Sequence, residues 1–209
     1  MCLLTFLPGG VPPQVDALYN GSLVNTDGHG FAIVTTGGLL VRHGMDAAPL
    51  IDEFVAARWA HPDGDALFHS RLATGGTVSL DNCHPYAVGA DPRTVLAHNG
   101  VLPIHPDRAD PRSDTRIVAE SLIGQWGSLR HRRTRLRLQR WMGPANKMVL
   151  LSVDRRFRRT SYLLNEQAGE WSGGIWYSNR GYRDWPDLDD LDGPDDLGIG
   201  PLSWPLPRS

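Results

Sequence analysis

The chain has 209 residues, 41% of them hydrophobic and 21% charged, with a formal charge of -2. That length suits one domain with a substantial core, and the balance of charge points to neither a nucleic-acid partner nor an anionic membrane surface. Met1-Cys-Leu-Leu-Thr-Phe-Leu has no basic flank and soon meets Pro8-Gly9-Gly10, so no targeting signal is expected. No stretch approaches a membrane span. Two cysteines, Cys2 and Cys83, give no disulfide framework, and a reducing cytoplasm is the simplest compartment.

Cys2 to Leu7 reads as a short buried strand. Asn25-Thr-Asp-Gly-His-Gly30 is turn chemistry leading into an apolar run over residues 31–35, and Thr36-Gly37-Gly38 turns it back into 39–42 as a hairpin. Asp46 is placed to cap a helix whose apolar face is Leu50, Ile51, Phe54, Val55 and Trp59, ended by Pro62-Asp-Gly64. A strand follows over 66–73. Residues 94–98 and 101–103 flank Asn99-Gly100, a hairpin signal. Ser113 or Asp114 begins a helix through Leu122 toward Trp126, and an arginine-rich helix covers 129–141. Strand-like runs at 147–153, 160–164 and 174–178 complete the order strands, helices, strands. Without βαβ alternation, that order predicts an α+β fold of antiparallel sheets with helices outside. From residue 183 the composition turns acidic and proline-rich, so a domain over 1–182 and a loosely docked tail over 183–209 are expected.

Cys2 directly follows the initiator methionine and is small enough for that methionine to be trimmed. The freed α-amine, with a reference pKa of about 7.7–8.0, would be a base beside the thiol of the same residue. Other segments carry suggestive chemistry, each with a plainer alternative. Arg71, ending a strand before the glycines at 75 and 76, suits bidentate capture of a carboxylate, or forms an interior ion pair beside a turn. His84, in Asp81-Asn-Cys-His-Pro-Tyr86, is a catalytic group or a buried histidine satisfied by backbone. Asn99 and Gly100 offer a side-chain amide and a backbone N–H, an oxyanion hole, or simply form a type I′ turn. Asp114 is a partner for an ammonium group or part of a helix cap.

Taken together, these segments resemble the class II glutamine amidotransferase domain of the N-terminal-nucleophile hydrolases. Members begin Met-Cys and carry Asn-x-Asp-Gly-x-Gly, a His-Thr-Arg-Trp-Ala-Thr-like run, Asn-x-His-Pro, His-Asn-Gly and Ser-Asp-Thr. The chain has matching segments in the same order, at Met1-Cys2, 25–30, 69–74, 82–85, 98–100 and 113–115. The resemblance implies a four-layer αββα sandwich of two antiparallel sheets between helices, with Cys2 heading a central strand. It also implies roles: Cys2 the nucleophile and its own amine the base, Asn99 and Gly100 the oxyanion hole. Arg71 and the loop at Thr74 would take a glutamine α-carboxylate, and Asp114 the α-ammonium. Leu72 and Gly75 stand where several relatives have tryptophan and histidine.

The reading is a stand-alone amidohydrolase that converts glutamine to glutamate and ammonia through a Cys2 thioester, with a separate synthase subunit as a possible acceptor of the ammonia. That chemistry needs no metal and no organic cofactor. Two alternatives remain: a γ-glutamyl amide hydrolase with a larger substrate, like the hydrolase of ergothioneine synthesis, or a binding protein on an inactive scaffold. The basic stretch Arg130–Arg137, with Arg140, is read as a solvated helix face in preference to a nucleic-acid site, with docking of the acidic tail a third option.

Overall fold

The computed structural model describes residues 2–107 and 109–183. The loosely docked tail expected over 183–209 lies outside the described residues except for Arg183, and residue 1, whose removal is expected, lies outside them as well. Two antiparallel sheets stack face to face. The first has six strands in the order β3-β2-β4-β1-β10-β9, formed by β1 (Leu3–Leu7), β2 (His29–Thr35), β3 (Gly38–Gly44), β4 (Ala66–Ser70), β9 (Glu170–Ser172) and β10 (Ile175–Tyr177). The second has the order β5-β6-β7-β8, from β5 (Tyr86–Val88), β6 (Asp91–Asn99), β7 (Lys147–Ser152) and β8 (Ser161–Leu164).

Helices cover the outer face of each sheet. Against the first lie α1 (Val15–Val24) and α2 (Ala47–Ala60), with Leu18, Leu50, Ile51 and Phe54 packed on Leu3, Leu7, Phe31 and Phe68. Against the second lie α3 (Asp114–Ile117), whose helical path widens over 118–122 and tightens over 123–126, and α4 (Arg132–Met142). Their Val118, Ile123, Leu138 and Met142 meet Leu96, Met148 and Leu150. The remaining faces meet each other through Leu4, Phe6, Leu67, Val95, Val149 and Trp176. This is the expected αββα sandwich. Alternate side chains of β1 therefore enter two different cores, and for that reason the strand is apolar almost throughout.

Four local expectations need correction. The sequence reading has no helix over 15–24; α1 turns mainly small residues inward, Ala17, Gly21 and Ser22, and so lacks a strong apolar stripe. Gly21 sits against the Leu3 side chain, where a Cβ would collide. Trp59 is not on the apolar face of α2: it is 67% exposed. Its neighbour Arg58 is buried instead, 2% exposed, because its guanidinium donates to the carbonyls of Pro8, Val11, His61 and Gly64. Asp46 holds the N-cap position of α2 without a side-chain cap bond. Finally, no hairpin forms at Asn99-Gly100. β6 pairs with β5 and β7, no strand follows Gly100, and Gly100 has φ +140°, outside the type I′ range.

Candidate active site

Strand pairing sets Cys2 beside the end of β4, because Leu3 is opposite Ser70 in antiparallel register. Arg71 follows at the next position. Asn99 ends β6 in the facing sheet with Gly100 directly after it, and Asp114 begins α3. The four segments meet at one end of the sandwich. Cys2, Arg71, Thr74, Gly100 and Asp114 line a single narrow cavity of about 20 Å³, together with His84 and His98. Asn99 is buried just behind it and is not part of the lining. Through Thr74, Gly75 and Asp114 the cavity adjoins a wider one of about 300 Å³, lined also by Val101, Ile104, Asp107 and Arg112.

The Cys2 sulfur receives the Leu72 N–H at 3.4 Å, and Asn179 Nδ2 donates to the Cys2 carbonyl at 2.7 Å. Burial pushes the Cys2 thiol up from its ordinary value, opposed by the Leu72 hydrogen bond and the charge of Arg71. Such a thiol needs a base to become a nucleophile. Cys83 is also a free thiol, so no disulfide occupies Cys2.

Arg71 is 3% exposed and has no carboxylate partner among the described residues, so the interior ion-pair alternative falls away. Its guanidinium donates to Gly75 O at 2.8 Å and Thr77 O at 3.1 Å, curling the 72–77 loop around itself. The Asn25–Gly30 segment braces the same loop. Asp27 accepts the Ala73 N–H at 2.8 Å, and Gly28 O accepts the Arg71 N–H at 2.9 Å. Gly30 is required by close approach, since a Cβ there would strike the His84 carbonyl. Asn82 stitches the loop to α3: its Nδ2 donates to Thr77 O and Pro111 O, and its Oδ1 accepts the Ser113 N–H.

At the helix start the two roles divide. Ser113 Oγ accepts the Arg116 N–H and is the cap. Asp114 instead takes the Leu102 N–H at 2.7 Å and the Thr115 N–H at 2.6 Å, which fixes its carboxylate at the junction of the two cavities.

Three histidines, His69, His84 and His98, form a buried layer under the cavity. The His69 and His84 rings are 4.0 Å apart, and His84 Nδ1 accepts the His98 N–H at 3.3 Å. His98 is held by Thr115 Oγ1 and Asn146 Oδ1, each at 2.9 Å. Burial lowers all three, His69 to about 3, which favours the neutral imidazoles. His84 is 3% exposed and bonded to the His98 backbone, as the buried-histidine alternative expects, while it also lines the cavity.

The sequence reading misses Ser178 and Asn179. Ser178 Oγ takes the Leu4 N–H at 2.9 Å and the Asn99 side-chain amide at 2.8 Å. A signal existed: period-two alternation puts Ser178 on the inward face with Trp176, where a polar residue needs a partner.

No family model matches the sequence, and a search of curated proteins finds no relative. Among solved structures the chain is similar to the glutamine phosphoribosylpyrophosphate amidotransferase of B. subtilis complexed with ADP and GMP. The TM-score is 0.52 at 18% identity, over 85% of this chain and 41% of that one. A second match is the allosteric regulatory enzyme of purine biosynthesis, with TM-score 0.43 and 18% identity over 73% of this chain and 37% of that chain. A class-II glutamine aminotransferase domain protein from Silicibacter pomeroyi matches with TM-score 0.38 and 18% identity, over 74% and 79%. The two sheets between helices, with a cysteine heading an inner strand, are the N-terminal-nucleophile hydrolase fold. Within it, the chain has the fold of a class II glutamine amidotransferase domain. It spans about two-fifths of the B. subtilis enzyme.

Proposed function

We propose that the chain is an N-terminal cysteine amidohydrolase that cleaves the glutamine side-chain amide to glutamate and ammonia. The observation that carries this reading is the one cavity shared by Cys2, Arg71, Thr74, Gly100 and Asp114. A substrate lies with its carboxamide in the narrow cavity and its charged end at the junction with the wider one. Arg71 takes the α-carboxylate in exchange for its loop carbonyls, with Thr74 beside it, and Asp114 takes the α-ammonium. After removal of Met1, the amine of Cys2 accepts the thiol proton. The sulfur then attacks the amide carbon, ammonia leaves, and water releases glutamate from the thioester. Ammonia passes to solvent or to a separate synthase.

The oxyanion meets the Gly100 N–H and the Asn99 amide. Asn99 Oδ1 is buried and unpartnered as placed, while Ser178 Oγ already accepts two N–H groups and still has a hydrogen to give. Turning the Asn99 amide by 180° lets Ser178 donate to Oδ1 and frees Nδ2 for the oxyanion.

A second reading, a γ-glutamyl amide with a larger amine, is favoured by the loop that covers the cavity. Leu72 is exposed, and a Cβ at Gly75 would meet open space, so neither position of the 72–77 loop closes the cavity with a bulky side chain. Steady-state assays of protein with a free N-terminal cysteine, on glutamine and on γ-glutamyl alkylamides and arylamides, test both. Higher kcat/KM on glutamine supports the first reading and higher kcat/KM on the larger amides supports the second. Absence of turnover on all of them, with no labelling of Cys2 by diazo-oxo-norleucine, would overturn the amidohydrolase.

A further inference from the structure

A cavity of about 570 Å³ lies away from Cys2. It opens between α4 and β8 on one side and the edge strand β9 on the other. Arg132 and Arg135 of α4 and Arg158 and Arg159 of the β7–β8 connection face it. None of the four has a carboxylate partner among the described residues. Arg42, Arg93 and Arg156 are paired, with Glu53, Asp91 and Asp154, whereas Arg130, Arg133, Arg137, Arg140 and Arg155 are exposed without a carboxylate partner among the described residues; what sets the four apart is that they converge on one concavity. Arg135 is anchored: it donates to Leu129 O and Arg130 O and lies 3.8 Å over the Tyr162 ring. Burial lowers its guanidinium, and Arg132 and Arg159 add like-charge repulsion. Holding unpaired cations together in a concavity costs free energy that an anion would recover.

The far wall differs in chemistry. Trp171 is 48% exposed, yet its indole is held in place by Nε1 donating to Glu166 Oε1 at 3.0 Å and by an edge contact with Phe6 at 6.3 Å. Glu166, which also lines the cavity, is an acceptor for hydroxyl or amino groups. A ligand suited to both walls carries several phosphates at one end and a planar, polar-edged ring at the other.

We propose that this cavity binds a nucleoside polyphosphate, with its phosphates on Arg132, Arg158 and Arg159 and its base against Trp171. The volume falls within the range of small-ligand sites, about 300–1,000 Å³. A single-stranded nucleic acid would instead require a basic groove with successive aromatic stacking platforms, and Trp171 is the one exposed aromatic among the residues lining this cavity. The inference is independent of the amidohydrolase reading, since Cys2 precedes β1, Phe6 lies near the other end of that strand, and no residue lines both cavities.

Isothermal titration of the full chain with ATP, tripolyphosphate and adenosine at about 150 mM salt tests it. ATP and tripolyphosphate bind, ATP more tightly, and adenosine binds at least 10-fold more weakly. Arg158→Glu with Arg159→Glu weakens both phosphate ligands at least 10-fold while the thermal midpoint is retained. Trp171→Ala weakens ATP and leaves tripolyphosphate unchanged. Absence of ATP binding, or binding indifferent to the double charge reversal, would overturn the site. So would tighter binding of a short single-stranded DNA than of ATP.

Discussion

Asn99 and Ser178 lie 79 residues apart in the chain and share a hydrogen bond of 2.8 Å beneath the Cys2 cavity. The same serine oxygen receives the backbone N–H of Leu4, two residues from Cys2. One hydroxyl thus ties the end of β6 in one sheet to the start of β1 in the other. Ser178→Ala strands two buried groups, each at a cost of about 1–3 kcal/mol, and releases the Asn99 amide. A lowered thermal midpoint together with lowered kcat is the expected result. Unchanged kcat in a destabilised protein would limit Ser178 to a structural role.

Asn99→Asp separates turn from oxyanion hole more sharply. A carboxylate facing developing negative charge should lower kcat at least as far as loss of one donor does elsewhere, about 10²–10³-fold. Stability and turnover are to be measured on one preparation. Near-normal turnover would remove Asn99 from the mechanism.

For the nucleophile, Cys2→Ala should abolish both hydrolysis and labelling by diazo-oxo-norleucine, whereas Cys83→Ala should retain them. Cys83 is buried, and its sulfur lies 3.6 Å from Ser79 O, away from the cavity lining. Mass spectrometry of the labelled protein locates the adduct. An adduct on Cys83 would contradict the assignment.

Arg71 both curls the 72–77 loop and faces the cavity, so its removal must be read on two substrates. Losing a buried charge partner typically costs about 2–5 kcal/mol, a fall in kcat/KM of roughly 30- to several-thousand-fold for glutamine in Arg71→Ala. A substrate without the α-carboxylate should lose much less. Equal losses on the two would identify Arg71 as a loop anchor only.

The histidine layer predicts how stability depends on pH. Unfolded histidines take up protons near pH about 6.5. Folded His69 does so only near about 3, and His84 and His98 are likewise lowered by burial. The folded state therefore binds fewer protons within that window. The contribution to stability is complete above the unfolded value and is lost as pH falls through the window. The loss is up to about 1.4 kcal/mol per pH unit for each such histidine. Urea midpoints at pH 7.5 and pH 5 measure it, and equal midpoints would show that the layer is not neutral in the fold.

Much of the site was legible in the linear chain because its parts are local. Met1-Cys2, the Asn25–Gly30 turn, the strand ending in Arg71 and the cap at Ser113 each carry their chemistry within a few residues. Their order also carried the resemblance to a known domain and with it the αββα layering, whereas strand and helix order alone carried only the α+β class. Local patterns misled where a residue answers to a distant partner. Asn-Gly at 99–100 has the composition of a hairpin turn, yet Gly100 packs against Asn146, and β7, not the following residues, pairs with β6. Arg58 is inside because four separate carbonyls converge on it, and α1 is a helix because its small residues fit against Leu3. The sequence by itself determined which chemical groups are present and the periodicity of most elements that carry them. Only the tertiary structure decided that Ser178 reaches Asn99 and that four arginines remain unpaired around one cavity, because such contacts depend on strand register and sheet stacking between segments far apart in the chain.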